Sequence, residues 1–566
     1  MSFSENKNIN NNINDINNSI NSNSKEKHYD AIIIGAGIAG LTAALELAKA
    51  DKQVLIIDAQ DEEKVGGLAR SAFGGMALIG TPEQKRHGIT DNAEIALKDW
   101  YAFANFSPDD HYPKQWAKFY VEQSYQKVYL YVKNLGVKFL PAVNWVERGL
   151  HAGGNSVPRY HIIWGTSLEL VNKMLTAIAP FKEKNIHFRF NCKISQLLTS
   201  NGKIIGCQDK HNKHYLASNT IIASGGFTGN LAKVKAHWPK HFAPAPENIL
   251  NGTHPSCDGA MHDEVSNIGG NVTHLDKMWN YAAGIPHPKT TFEQQGLSLI
   301  PCKSALWLDS TGKRIGPKPM ITGFDTNELC RRMSEQKSGY AWQVLNWKIA
   351  SKEFAVSGAE HNQMIRDKKF FTMLKETLLG NHRLVKQMQT DSDHFIVADS
   401  VSELTTKMNA LTSTNAIETH VLQQTLDDYD AILTRPSSQW NDDQIRRIEH
   451  ARKWGADKLR TCKPHPIQDK KHGPLIAIKV ALISRKSLGG IQTNLNSQVL
   501  GYVDDTNKAI TGLYAIGEAS GFGGGGSNGE KSLEGTFLAG CILTAQQAAK
   551  SITNNDIINS DKQEAK

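Results

Sequence analysis

The chain has 566 residues, 40% of them hydrophobic and 21% charged, with a formal net charge of +8 at pH 7. That is the make-up of a globular protein too long for one simple core, so two domains or one large composite are expected. Lysines and arginines are scattered, which leaves no nucleic-acid footprint, and seven widely spaced cysteines without a CxxC pair argue against a disulfide framework, a zinc site and an iron–sulfur cluster.

Residues 1–27 are rich in Asn and Ser and cannot bury enough apolar surface to fold alone, so they are expected to be disordered. They lack the apolar core of a signal segment, and no apolar run reaches the ~18 residues of a membrane span, so a cytoplasmic location is expected by default.

Order is predicted to begin with the apolar strand Ala31–Ile34. Gly35, Gly37 and Gly40 follow in GxGxxG spacing, with Ala36 and Ala39 between them, and a helix of small apolar residues runs on to Lys49. Gly35 allows the tight turn, Gly37 lets backbone approach a pyrophosphate, and Gly40 lets helix and strand pack closely. The helix start faces the phosphate charge. A second apolar run, Val54–Ile57, ends at Asp58 and Ala59, where a carboxylate can accept hydrogen bonds from ribose hydroxyls. An acid there favours FAD or NAD over NADP.

The next loop decides between those two. It carries Gly66, Gly67, Leu68, Ser71, Gly74 and Gly75, a second glycine-rich stretch that a flavin needs and a simple nicotinamide site does not. Residues 279–463 have mixed helical periodicity and no glycine fingerprint. Near the C-terminus, Leu513–Ile516 reads as a strand ending at Gly517 and Glu518. A dense glycine run follows, and then a helix from about Ser532 and Leu533. Residues 554–566 are expected to form a flexible tail.

Together with "NTIIASGGFTGN", "HPSCDGAMHDEVSNIGG" and "GLYAIGEASGFGGGGSNGEKSLEGTFLAGC", these segments resemble the fumarate reductase/succinate dehydrogenase flavoprotein superfamily, the FAD-dependent oxidoreductase 2 family. The stretches "GNSVPRYHIIWGTS", "KEFAVSG" and "SLEGTFLAGC" resemble its ketosteroid-dehydrogenase-like members. The resemblance implies an α/β protein. A Rossmann-like FAD-binding domain would be assembled from residues 28–278 and 464–553, with an inserted α+β capping domain at 279–463. It further implies that Ile194 and the segment Ala223, Ser224 and Gly225 sit beside the adenosine of FAD. Glu518 would bond ribityl or ribose hydroxyls, and the helix from Ser532 would point its positive end at the ring. FAD would be held noncovalently, since the 66–75 loop has no histidine and the cysteines are distant in sequence.

Fumarate reductases of that superfamily place two histidines and two arginines around the flavin. Here His287 stands at one position and Phe324 replaces the proton-donating arginine. Arg485 and Lys486 stand where a histidine would be, and Lys531 where the second arginine would be. Without arginine forks a dicarboxylate is poorly held, which argues against fumarate reduction. His287, Lys531, Arg485, His161 and Arg159 are the candidate catalytic groups. The expected reaction is removal of hydride and proton from adjacent carbons of a carbonyl-activated, steroid-like substrate, with electrons passing to a separate acceptor. The alternatives are a reductase of an activated double bond and a non-catalytic flavin-binding module.

Overall fold

The first apolar run is strand β1 (Tyr29–Ile34), followed by helix α1 (Ile38–Lys49) and strand β2 (Val54–Ile57). The computed structural model describes residues 28–151, 153–503 and 506–564, so the segment 1–27, expected to be disordered, lies outside the described residues. Strands β3 (Ile186–Arg189) and β4 (His214–Ile222) join the same sheet. All are parallel, with Ile33 opposite both Ile56 and Ile221. Such strands are covered on both faces, which is why they read as unbroken apolar runs. Helix α1 is buried almost all round; its Leu41, Leu45 and Leu47 are fully enclosed, each contributing about 1.5–3 kcal/mol of burial.

A second sheet holds β5 (Met278–Pro286), β6 (Gly296–Ile300), β7 (Leu306–Leu308), β8 (Tyr340–Asn346), β9 (Ala355–Val356) and β10 (Leu475–Ser487). Its main order is β7-β8-β10-β5-β6-β9, antiparallel throughout. Helices between residues 382 and 451 pack around it. The long strand β10 is central here, so the boundary expected at residue 463 falls too early. The reason is physical: a central strand of either sheet shows the same continuous apolar run, and "PLIAIKVALI" does not say which sheet it joins.

The chain then returns to the first sheet with β11 (Gln498–Val503) and β12 (Thr506–Ala515), completing the order β11-β12-β4-β1-β2-β3. Strand β12 runs parallel to β4, with Tyr514 opposite Ile221. A long helix, α2 (Thr536–Glu564), packs along α1. It begins four residues later than expected, and its backbone stays helical through residues 554–564, where a flexible tail was expected. Among the described residues no helix is long and apolar enough to cross a membrane.

Candidate active site

A cavity of about 1300 Å³ opens between the two sheets. At the turn after β1, Gly35 adopts φ +114°, and a Cβ there would lie 2.4 Å from the Ala223 carbonyl oxygen. A Cβ on Gly40 would lie 2.0 Å from the carbonyl oxygen of Gly35, so only glycine lets α1 sit this close to the strand. Gly37 is the N-cap of α1 with no side chain capping it, and nothing lies within 4 Å of where its Cβ would be. Bare amides at a helix start beside open space form a cradle for a diphosphate.

Gly35, Gly37, Ala39, Asp58 and Ala59 line this end of the cavity, as do Gly66, Gly67, Leu68, Ser71, Gly74 and Gly75 of the second loop. Ile194, Ala223, Ser224, Gly225 and Glu518 line it too. Ala36 and Gly40 stand just behind: the Ala36 amide donates to Asp58 Oδ2 at 2.6 Å, fixing the carboxylate over the turn. The amide of Gly517 donates inward to Thr544 Oγ1 at 2.9 Å. Glu518 accepts from the Ser487 amide at 3.0 Å, and burial raises its pKa. Cys192, Cys257 and Cys541 also line the cavity, although they are far from the second loop in sequence. Burial pushes the Cys257 and Cys541 thiols up to about 12, with the Glu518 charge adding to it. They are therefore protonated and unreactive at neutral pH.

The expected placement fails at the late helix. Ser532 and Leu533 do not line the cavity. Ser532 is buried and donates to Asn528 Oδ1 at 3.1 Å, and Leu533 belongs to the hydrophobic core. Glu534, Phe537, Leu538 and Cys541 face the cavity instead, because the helix starts at Thr536.

Three of the candidate catalytic groups are structural. Arg159 is 3% exposed and forms ion pairs with Asp91 at 2.8 Å and Asp99 at 2.6 Å. His161 is fully buried between Thr81 Oγ1 at 2.8 Å and the Arg159 carbonyl at 2.7 Å. Burial pulls its pKa down to about 4, so it is neutral. Lys531 is committed to Asp325 at 2.8 Å and does not reach the cavity lining. The error at Arg159 and His161 is one of parity. Residues 160–163 form a strand, and its alternate members Tyr160 and Ile162 face the cavity while His161 and Ile163 face the core.

His287 and Arg485 do line the cavity. Arg485 donates through Nη1 to the Gly252 carbonyl, while its buried Nε has no partner. Beside it, Lys486 lies over the rings of Phe537 at 4.3 Å and Tyr281 at 5.8 Å. Burial pulls its ammonium down to about 8, opposed by the charge of Glu534.

The polar centre of the cavity escaped the sequence reading. Tyr281 donates to Glu534 Oε2 at 3.0 Å, and Trp279 Nε1 donates to the same oxygen at 2.6 Å. The β5–β10 register shifts on both sides of Tyr281, a bulge that re-aims its ring. Burial and the Glu534 charge hold the Tyr281 phenol well above its ordinary pKa, and Tyr160 is raised for the same two reasons. Glu147, 3% exposed, accepts from the Thr326 amide at 3.0 Å, and burial raises it to about 8. The signal for Tyr160 lies in "VPRYHIIWG": its charged and titratable residues Arg159 and His161 face away from the cavity, and Tyr160 faces it.

Residues 30–538 match a family model described as an FAD binding domain. A KsdD-like steroid dehydrogenase of Mycobacterium tuberculosis is 36% identical over 545 residues, 92% of this chain and 95% of that protein. One from Mycolicibacterium smegmatis is 34% identical over 532 residues, 90% and 96%. The 3-ketosteroid delta1-dehydrogenase of Sterolibacterium denitrificans, solved with 1,4-androstadiene-3,17-dione, superposes with a TM-score of 0.65 at 16% identity, over 93% of this chain and 100% of that one. With its glycine turns opening onto one cavity, this chain belongs to the family of the FAD binding domain and is an FAD-dependent oxidoreductase.

Proposed function

We propose that the protein desaturates a carbon–carbon bond next to a carbonyl in a steroid-like substrate. The observation that carries this is the Tyr281–Glu534 hydrogen bond inside the cavity onto which the glycine turns open. FAD, bound along those turns, supplies the two-electron hydride acceptor. Tyr281 Oη takes the proton α to the carbonyl as its own proton moves to Glu534 Oε2. The substrate loses one hydride and one proton and gains a double bond. Arg485 and Lys486 offer positive charge to the carbonyl oxygen as enolate character develops there. Tyr160 stands on the same wall as a second phenol. The names of the relatives, KsdD-like steroid dehydrogenases, support the substrate class. Electrons then leave to a separate acceptor.

The test is anaerobic mixing of the yellow protein with a panel of 3-ketosteroids. Loss of the oxidised flavin band, with a product two mass units lighter, is the expected result. A flavin that no 3-ketosteroid reduces, in protein with full FAD occupancy, refutes the substrate class.

A further inference from the structure

The wall of the cavity holds a group of side chains that the proposed proton transfer does not use. His287 follows β5, and Glu360 and His361 lie on the turn after β9. All three line the cavity, and each offers one ligand atom within 4.8 Å of the others'. The imidazoles of His287 and His361 have centroids 6.5 Å apart. His361 is 8% exposed, and neither of its ring nitrogens has a hydrogen-bond partner. A buried imidazole without a partner on either side is uncommon and calls for an explanation. His287 spends Nδ1 on the Lys289 amide at 3.0 Å, which leaves Nε2 for another partner.

Both supporting loops are fixed by backbone bonds. The His287 amide donates to the Gln295 carbonyl at 2.9 Å, and the Ala359 amide donates to the Ser71 carbonyl at 2.8 Å. Asn362 Nδ2 closes the turn by donating to the carbonyls of Val356 at 2.8 Å and Gly358 at 2.7 Å. The ligand groups therefore sit on anchored backbone, as a binding site requires.

We propose that His287, Glu360 and His361 bind one divalent transition-metal ion of the zinc class. Two imidazoles and a carboxylate suit zinc, nickel or cobalt and not magnesium or calcium, which take all-oxygen sets. Three protein ligands leave at least one position for an oxygen donor from water or from the occupant of the cavity. Lys289 opposes a cation here, but it is exposed and water screens it. The ligands lie 73 residues apart in sequence, which is why no spacing motif marks them.

The experiment uses the FAD-loaded full chain, treated with chelator and dialysed. Zinc chloride is titrated by calorimetry, and retained metal is counted by mass spectrometry. One ion per chain is expected, with the melting temperature raised. His361→Ala and Glu360→Ala should each weaken binding by at least about 10-fold while the flavin spectrum stays unchanged. Failure of the wild-type protein to retain zinc, or retention that survives both substitutions, overturns the proposal. Neither readout depends on substrate, so the metal site and the steroid reading stand or fall separately.

Discussion

Gly75 stands directly against the ring of Tyr160: a Cβ at position 75 would lie 1.8 Å from Tyr160 Cζ and 2.0 Å from its hydroxyl oxygen. A second glycine, Gly535, also stands against this ring, where a Cβ would lie 2.9 Å from Cδ2. The phenol thus occupies a slot that two missing side chains leave open. Gly75→Ala should swing the ring aside at a stability cost of about 1–3 kcal/mol. Turnover should fall by about 100-fold, as expected when a group in a reacting site is displaced. Steady-state kinetics and a chemical denaturation curve on the same preparation check both halves.

Tyr281→Phe removes the proton acceptor and leaves the ring. Because proton transfer by a positioned side chain typically accounts for 10²–10⁴ in rate, about that loss is expected in kcat with KM little changed. Glu534→Gln should give a similar loss, and the double variant should be no worse than the poorer single one, since the two act as one relay. Multiplying losses in the double variant would count against the relay.

Gly40→Ala places a methyl group 2.0 Å from the Gly35 carbonyl oxygen, which is backbone and cannot turn away. The helix start must shift, and with it the diphosphate cradle. The variant is expected to purify with little flavin and to show a melting temperature that added FAD no longer raises, measurable by absorbance and thermal shift.

Arg159→Met tests the structural assignment. It leaves Asp91 and Asp99 buried without their cation, and about 3–5 kcal/mol of stability should be lost. In the fraction that remains folded, kcat per bound flavin should be near that of the parent protein. A protein of normal stability with a collapsed kcat would return Arg159 to the chemistry.

The Lys486 ammonium falls from 10.5 to about 8 on folding. Between those values the unfolded chain binds the extra proton, so this group makes stability rise with pH from about 8 to about 10.5. Because the side chain is only partly enclosed, the gain is on the order of 2 kcal/mol. The pH profile of Lys486→Met should lack this rise, and denaturant midpoints across that range compare the two.

The parts of the site that could be read from sequence are those that are contiguous. β1, its glycine turn, α1 and Asp58 form one local unit in which each residue has a steric or electrostatic reason, and the structure places them together. The pattern showed only a strand ending at Gly517 and Glu518; the role of Glu518 came from the family resemblance, and the structure sets it in the cavity lining. Tyr281 and Glu534 were not legible, because they meet across 253 residues and because a bulge, invisible in the pattern, turns the tyrosine inward. Arg159 and His161 drew attention as charged or titratable types in a short motif, where alternation along the strand should have favoured Tyr160. Lys531 failed for another reason: nothing in the sequence announces that Asp325 claims it.

Strand β10 has a further consequence. One continuous segment, Leu475–Ser487, runs through the middle of the second sheet and ends where the Ser487 amide grips Glu518. An excised 279–463 fragment would lack its own central strand and aggregate along the open edges. The two sheets are therefore not separable modules: a graft that replaces the second sheet must carry the 475–487 stretch with it.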